Sequence, residues 1–298
     1  MQFRSKIAFT AKTKEESKMR IIDAAQITAA VAKLAIDANY YLSPDVFEAL
    51  EKGAATEESP LGREIFGQLV KNACIAKNEN MPICQDTGMA VIFIELGQEV
   101  HVNGDLNEAI NAGVAQGYKQ GYLRKSVVAD PLFTRKNTGD NTPAILHLAL
   151  VPGDKIKITL APKGFGSENM SAMRCLKPSE GVAGVKKFVV DTVTNAGSNP
   201  CPPIVIGIGI GGTVEMAAIQ AKKALTRPIN ERNAQPEYAK LEEELLELVN
   251  NTGVGPQGLG GRITALAVNV NYYPTHIAGM PVVINISCHA TRHAEIIL

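Results

Sequence analysis

A cysteine, an amide and a carboxylate stand side by side at Cys84-Gln85-Asp86, and a strand-like apolar run follows shortly after them. A thiolate is a metal ligand, and a neighbouring carboxylate can exchange a proton with whatever the metal holds. Pro82 precedes the cysteine and Gly88 follows it, which indicates a loop. A hydrophobic core does not require this order of residue types. The segment therefore predicts part of a metal-dependent site.

Two further cysteines share this context. Cys201 lies among three prolines before an apolar run, and Cys288 follows another such run. Loops at strand ends carry binding and catalytic residues, so the three thiols are expected to converge. Three thiolates with an open fourth position fit a cubane iron–sulfur cluster and equally fit a catalytic zinc. Their spacing alone also fits cysteines that are simply buried in a non-catalytic partner protein. Cys74 borders the apolar stripe of a helix and is expected to be a buried structural cysteine.

Helical and strand-like segments are interspersed, which indicates an α/β or α+β fold with mixed β-sheets covered by helices, in a single large domain. Two apolar runs, 144–151 and 155–161, flank Pro152-Gly153-Asp154 and predict a β-hairpin. We expect residues 1–18 to be a flexible extension and residues 19–298 to form the catalytic domain. The remaining predicted helices are 21–41, 44–52, 61–79, 105–120, 178–195, 213–225 and 237–249, and the predicted strands are 89–97, 204–206, 263–272 and 281–287.

The net charge of the chain argues against some classes of binding partner. The 298 residues have a formal net charge of zero, so there is no basic field to hold nucleic acid or an anionic membrane. No apolar run is long enough for a transmembrane helix, and the N-terminal residues lack the apolar region of a secretory signal. We therefore expect a cytoplasmic protein, with reduced cysteines and without nucleic-acid or membrane partners.

Two other patterns suggest ligands. Residues 207–212 match GxGxxG between a strand and a helix, which predicts a dinucleotide-binding oxidoreductase as the alternative function. Position 230 lies in a proline-containing turn, where that fingerprint expects a second strand that ends in an acid, and this weighs against the alternative. Arg124, Arg135 and Arg262 lie in non-periodic segments. Each of these arginines either clamps a carboxylate through two hydrogen bonds or is solvated on the surface.

Several motifs together resemble the class I (iron–sulfur) fumarate hydratase family. The resemblance covers the chain from about Ile21 to its end, and it is closest to the α subunit, or N-terminal part, of the two-subunit form, which includes the tartrate dehydratase α subunit. The motifs that carry the resemblance, all in the same order, are Cys84–Gly88, Lys163–Asn169, Cys201–Glu215, Gly255–Gly261 and Ser287-Cys288.

The resemblance implies a hydro-lyase site for a dicarboxylic hydroxy acid. Its cofactor would be a 4Fe–4S cluster with one iron free of protein ligands, and Asp86 would protonate the departing hydroxide. The family loop after Lys163 often contains three glycines, whereas Phe165 takes the middle place here, and this puts the tightness of the loop in question. The implied cluster ligands are Cys84, Cys201 and Cys288, and the implied substrate contacts are Gln85, Asp86, Arg124 and Gly166.

The resemblance also implies a second chain. In single-chain relatives a further domain supplies the base that takes the C3 proton, and that domain does not follow Cys288 here. We therefore expect a β subunit, an α2β2 hetero-oligomer, and no activity from this chain alone. Residues 135–143 and 164–169 look more like fumarase than tartrate dehydratase, which makes fumarate and malate the first expected substrates and tartrate the second.

Overall fold

The computed structural model describes residues 19–298, so the expected N-terminal extension lies outside the described residues. Within them, one two-stranded and two four-stranded sheets are covered by helices, which confirms the expected fold class. The strands are β1 (Arg20–Asp23), β2 (Met89–Gly97), β3 (Val100–Asn103), β4 (Ile145–Val151), β5 (Ile156–Lys163), β6 (Ala172–Leu176), β7 (Ile204–Gly211), β8 (Ala265–Tyr273), β9 (Met280–Ser287) and β10 (Ala294–Ile297). The helices are α1 (Ala24–Tyr40), α2 (Pro44–Thr56), α3 (Pro60–Glu79), α4 (Leu106–Gln120), α5 (Phe165–Glu168), α6 (Gly181–Ala196), α7 (Val214–Ala224) and α8 (Pro236–Asn250).

The first four-stranded sheet has the order β10-β5-β2-β4, and the predicted hairpin of β4 and β5 is wrong. β2 lies between these two strands, parallel to β4 and antiparallel to β5. The turn at residues 152–154 therefore passes over the end of β2, where Glu99 N donates to Gly153 O at 3.0 Å. Gly97 permits the crossing, because a Cβ on it would lie 2.3 Å from Gly153 O.

Helices α1 and α4 cover this sheet with a shared apolar core. Ile92 and Ile158 of the sheet are fully buried against Ile27 and Val31 of α1. Each such side chain contributes about 1.5–3 kcal/mol by its removal from water. The first residues of the predicted helix 21–41 are instead extended, because Arg20–Asp23 pairs in parallel with β3. The helix begins only at Ala24.

The second four-stranded sheet has the order β6-β9-β7-β8. Apolar residues of α6 and α8 join its core, and α7 packs closely on β7. Gly207 and Gly209 lie inside β7 rather than in a turn, and an added Cβ would lie 2.1 Å from Ala221 O and 1.9 Å from Ala217 O respectively. These glycines therefore let a helix approach a strand closely, which accounts for two glycines of the dinucleotide-like pattern.

Some local predictions need correction. The short elements β3, β6, β10 and α5 were not expected from the sequence. Cys74 is exposed, so its prediction as a buried cysteine is wrong. The buried face of α3 is formed instead by neighbours such as Ala73 and Ala76, which places Cys74 on the outer side of the helix. No helix among residues 19–298 is long and apolar enough to cross a membrane.

Candidate active site

Cys201 and Cys288 meet at one edge of the second sheet. Cys201 lies just before β7, Cys288 follows β9, and these two strands are antiparallel with Val205 opposite Ser287. The start of one strand therefore lies beside the end of the other. The backbone N–H of His289 donates to the carbonyl oxygen of Cys201 at 3.3 Å, which fastens the two loops together.

Cys84 joins this pair from the loop between α3 and β2. Ile83 N donates to Asn39 O at 3.0 Å, and Asn72 Nδ2 donates to Ile83 O at 2.8 Å, so the loop is fixed on both sides. Cys84 and Cys288 pack against the same small hydrophobic cluster, of which Ile83 is a member. The predicted convergence of the three cysteines, here called the cysteine group, is therefore present in the structure.

Two thiols of the cysteine group, those of Cys201 and Cys288, have raised pKa values. Burial raises the pKa of Cys201, and the neighbouring Cys288 and Cys84 thiols raise it further. Burial likewise raises the pKa of Cys288, while the positive charge of Arg292 acts in the opposite direction. Such thiols resist ionising together unless a cation lies among them. A positively charged ligand would therefore stabilise the group as thiolates.

The donor set fits a cluster of several irons. Each ligated iron of a cubane takes one thiolate, so three thiolates leave a fourth iron without a protein ligand. Within residues 19–298, no group of three or more His, Cys, Asp or Glu side chains is placed so that it could hold a metal ion. A mononuclear zinc site instead surrounds one ion at distances of about 2.0–2.3 Å. As a donor set, three thiols fit either such a cluster or a catalytic zinc.

The backbone conformation at Cys201 adds an independent sign of a specialised site. Its φ is +53°, in the left-handed region that side-chain-bearing residues rarely adopt. Gln257 has a φ of +53° as well, and Arg135 has one of +47°. Strained residues of this kind persist where surrounding contacts hold them, and they concentrate at functional sites.

The carboxyl group of Asp86 is held by two backbone amides. Oδ1 accepts a hydrogen bond from Gly88 N at 3.1 Å, and Oδ2 accepts one from Phe165 N at 2.8 Å. Phe165 begins α5, the short turn that follows β5. The side chain is thus oriented by two separate segments while it remains half-buried. A carboxyl group fixed in this way and open to solvent can deliver or accept a proton in a defined direction.

A cleft of about 540 Å³ opens beside Asp86, and we call it the cleft below. Arg124 and Arg135, both from the long segment between α4 and β4, line it together with Phe165 and Asn169. Two guanidinium groups around one cleft fit a ligand with two carboxylates, because each can donate two parallel hydrogen bonds. Among the described residues, the cysteine group itself is not part of the lining, and Asp86 connects the two regions.

Comparison with known proteins agrees with this geometry. A family model described as fumarate hydratase (Fumerase) matches residues 28–297. The chain belongs to the fumarate hydratase family. It is 43% identical over 276 residues to a protein of Methanocaldococcus jannaschii with the provisional name L(+)-tartrate dehydratase subunit alpha, covering 90% of this chain and 96% of that protein. It is 31% identical over 286 residues to L(+)-tartrate dehydratase subunit alpha of Escherichia coli O157:H7, covering 95% and 94%. The protein of that name in Shigella sonnei is 30% identical over 286 residues, with the same coverage.

The resemblance to the fumarate hydratase family found in the motifs is confirmed, and the structure locates the residues it implied. Asp86 and Arg124 line the cleft, whereas Gln85 and Gly166 do not. Gln85 is exposed, and its Oε1 accepts a hydrogen bond from Cys84 Sγ at 3.2 Å. Gly166 is exposed within α5, one residue after a residue of the cleft wall. Two of the four residues implied as substrate contacts therefore line the cleft, and the other two lie outside its lining.

The loop that departs from the fumarate hydratase pattern is nevertheless compact. Lys163 is buried at its base, where Nζ donates to Ser167 Oγ at 2.8 Å and lies 3.3 Å from Glu168 Oε2. Burial lowers the pKa of Lys163 to about 8, although the charge of Glu168 opposes the shift. Glu168 in turn pairs with Lys222. Phe165 is accommodated because its side chain points outward and is 47% exposed.

Gln257 is a part of the site that sequence reasoning missed. Its backbone N and its Nε2 both donate to Pro202 O, at 2.8 and 2.7 Å, and Nε2 also lies 3.3 Å from His289 Nδ1. It therefore connects the loops of Cys201 and Cys288. The only sequence signal was its position inside a glycine-rich motif of the fumarate hydratase family.

Tyr118 was also missed, and nothing in its sequence context pointed to the site. Its hydroxyl is buried on α4 and contacts Thr87 O at 2.8 Å and Gly88 O at 3.0 Å. Asn141 Nδ2 donates to Gly88 O at 3.1 Å from another segment. Burial, the largest cause, raises the pKa of Tyr118. These contacts fix the backbone immediately after Asp86.

Proposed function

We propose that this chain is the α subunit of an iron–sulfur hydro-lyase that removes water from L(+)-tartrate. The observation that carries the proposal is the position of Asp86. Its carboxyl group lines a cleft with two arginines, and it lies two residues from Cys84 of the cysteine group. Proton exchange, dicarboxylate binding and metal binding are thus available within one small region.

Substrate orientation is assigned to the arginines of the cleft. The guanidinium of Arg124 would hold one carboxylate of the substrate through two parallel hydrogen bonds. Arg135 lines the same cleft and supplies a second positive charge. Fixing a dicarboxylate against these groups turns the reaction into an effectively intramolecular one and lowers the entropic part of the barrier.

We assign to Asp86 the role of the acid that protonates the departing hydroxyl group. The C–O bond at C2 breaks, the hydroxyl takes the Asp86 proton, and water departs. The amides of Gly88 and Phe165 hold the carboxyl group in place during this transfer. The product of water loss from tartrate is an enol that rearranges to oxaloacetate, and malate would give fumarate by the same step.

Cys84, Cys201 and Cys288 are assigned as the ligands of a 4Fe–4S cluster. When bound, a cluster with one open iron supplies Lewis-acid assistance to the departure of hydroxide. The raised pKa of Cys201 beside two further thiols supports this assignment, because a cationic core would favour the thiolate form. Gln85, which already contacts Cys84 Sγ, and the backbone at Gly166 are proposed as further substrate contacts.

A β subunit is proposed as the source of the base that removes the C3 proton. Three relatives are named as α subunits, which supports a two-subunit enzyme with this chain as one partner. The exposed Leu132 and Phe133 beside the cleft, 70% and 85% exposed, agree with a site that another chain completes. We propose an α2β2 assembly, with each cleft closed by one β subunit.

The choice of substrate follows the named relatives. The motifs at 135–143 and 164–169 favoured fumarate and malate, whereas the relatives above are named for tartrate and reverse that order. Fumarate and malate remain the second candidate, because the family model that matches the chain carries the name of fumarate hydratase.

The test is anaerobic co-expression of this chain with its β subunit, followed by iron and sulfide analysis and assays with L(+)-tartrate, (S)-malate and fumarate. We expect a brown, oxygen-labile complex with a kcat/KM for tartrate at least about tenfold above that for malate, a difference of about 1.4 kcal/mol. The reverse ratio would establish the second candidate. A colourless anaerobic complex that contains zinc, or one that dehydrates none of the three acids, would overturn the proposal.

A further inference from the structure

Arg292 is buried beside the cysteine group without a carboxylate partner. It lies four residues after Cys288, between β9 and β10, and is only 6% exposed. Its Nη2 donates to the backbone carbonyl oxygen of Asp86. Nε and Nη1 are buried and have no hydrogen-bond partner among the described residues. A buried cation in this state is strongly unfavourable unless an anion compensates it.

The acidic groups nearby do not provide that anion. Both carboxylate oxygens of Asp86 accept hydrogen bonds from backbone amides, and Arg292 reaches only the carbonyl oxygen of that residue. Within residues 19–298, no carboxylate forms an ion pair with Arg292. Arg292 nevertheless lies close to the cysteine group, because it contacts the carbonyl oxygen of Asp86, two residues after Cys84, and follows Cys288 by four residues. A cysteine that binds a metal does so as a thiolate anion.

The charge count supplies the missing partner. A dicationic four-iron core bound by three thiolates has one net negative charge, and its sulfur atoms accept hydrogen bonds from nearby N–H groups. A guanidinium has five N–H donors in a fixed fork, and three of them belong to the unpartnered Nε and Nη1 of Arg292. The free N–H donors and the positive charge of Arg292 therefore match the sulfur acceptors and the negative charge of a cluster bound by the cysteine group.

We propose that Arg292 is the counter-ion of the cluster and, through Nη2, the link between the cluster and Asp86. Its Nε and Nη1 donate to sulfur on the cluster side, while Nη2 holds the carbonyl oxygen of Asp86. Arg292 acts through these groups and is a positioning residue. This inference rests on the proposed function, because it requires a cluster at Cys84, Cys201 and Cys288.

The first test is the reduction potential of the cluster in the anaerobic complex. Removal of a nearby positive charge makes addition of an electron to an anionic cluster less favourable. We expect Arg292→Met to shift the one-electron equilibrium by at least tenfold, which is about 59 mV to more negative potential. Arg292→Lys keeps the charge, so its reduction potential should shift by less than half as much as that of Arg292→Met. The matched control is Arg227→Lys, at a partly buried arginine that pairs with Glu242, and it should lower the melting temperature without moving the potential.

The second test compares melting of the complex with and without its cluster. Without the cluster, Arg292 has no counter-ion, so Arg292→Met should melt at the same or a higher temperature than wild type. With the cluster, the same variant should melt at a lower temperature and lose iron to a chelator about tenfold faster. If Arg292 only filled space, its replacement would shift the melting temperatures of both forms in the same direction. If Arg292→Met does not fold, Arg292→Lys should still lose iron at least about threefold faster, because it has fewer donors.

The outcomes separate the two proposals. Wild-type protein without iron and sulfide contradicts the proposed function and this inference with it. A complete wild-type cluster, together with an unchanged potential in Arg292→Met, contradicts the inference alone. Unchanged iron release in Arg292→Lys contradicts the inference alone when the methionine variant is insoluble.

Discussion

The loops of the second sheet hold Cys201 and Cys288 through backbone and amide hydrogen bonds, whereas the wall of the cleft carries exposed side chains. His289 N and Gln257 tie the two cysteine loops together. On the cleft side, Leu132 and Phe133 have no comparable packing. Hydrogen bonds thus fix the loops of Cys201 and Cys288 within this chain, whereas side chains beside the cleft are exposed.

In our proposal, this difference follows from the separate tasks of the two regions, metal binding and substrate binding. Ligands of a metal centre have to be held to within fractions of an ångström, and packed sheet edges with hydrogen-bonded loops provide that rigidity. A cleft must admit a substrate and, in our proposal, a second subunit. Loops with few buried contacts suit that task because they open at low cost.

The largest effect is expected from the cysteine group. Serine at Cys84, Cys201 or Cys288 should remove the visible iron–sulfur absorbance and reduce turnover to the background of the assay, because each change removes a thiolate ligand. Serine at the exposed Cys74 or Cys175 is the matched control and should leave both unchanged. Measurement of iron and sulfide in anaerobic protein decides the matter, and a full cluster in any of the first three variants contradicts the assignment.

Asp86→Asn should impair catalysis in the cleft and leave the cysteine group intact. It keeps the size of the side chain and removes the proton, so kcat should fall by about 10²–10⁴-fold while the iron content stays at the wild-type level. Stopped assays at saturating substrate, normalised to iron, measure this directly. Full turnover of the assembled Asp86→Asn complex would refute the role of Asp86 as the acid.

Arg124→Met should weaken substrate binding in the cleft and leave the cysteine group intact. Loss of a charge-assisted pair to one substrate carboxylate should raise KM by about 10–100-fold, with a smaller change in kcat. The control is Arg174→Met, because Arg174 lies on β6 and pairs with Glu180 away from the cleft. Steady-state kinetics of both variants would test the comparison, and equal KM values would remove Arg124 from the binding site.

Glu57 offers the smallest and most local test, on the loop behind the cysteine group. Its carboxylate is buried and accepts hydrogen bonds from Ser59 N, Arg262 N and Ile263 N at 2.7–2.9 Å, which secures the loop that carries Gln257. Glu57→Gln should cost about 1–2 kcal/mol of unfolding free energy, because the amide faces one of these donors with a donor of its own. Glu58→Gln, at the exposed neighbour, is the control and should be neutral.

The difference in unfolding free energy between wild type and Glu57→Gln should become smaller as the pH falls. Burial tends to raise the pKa of Glu57, but hydrogen bonds from Arg262 N, Ser59 N and Ile263 N outweigh it and hold the pKa below its ordinary 4.5. The stabilisation is therefore complete above about pH 4.5 and is lost as the pH falls through the lowered value. Chemical denaturation of wild type and Glu57→Gln at several pH values should show the gap close toward acid. A gap that widens toward acid contradicts this account.

Turn residues and apolar patterns determined many of the elements from the sequence. The helix that starts at Pro44 after Ser43, and the strands at 89–97 and 281–287, follow from local signals alone. The convergence of the cysteines also followed, because loops at strand ends can meet at a sheet edge. Local chemistry is sufficient where the deciding contacts lie within a few residues of each other.

Tertiary structure alone decided the partners of those elements. The turn at 152–154 had hairpin chemistry, yet β2 fills the space between β4 and β5, and no local signal reports which strand occupies such a gap. The glycines of β7 resembled a ligand-binding turn until the closeness of α7 explained them. Arg292 and Gln257 gain their roles from groups far away in the chain, which a sequence pattern does not specify. The sequence thus determined which groups could do chemistry, and packing decided which of them meet.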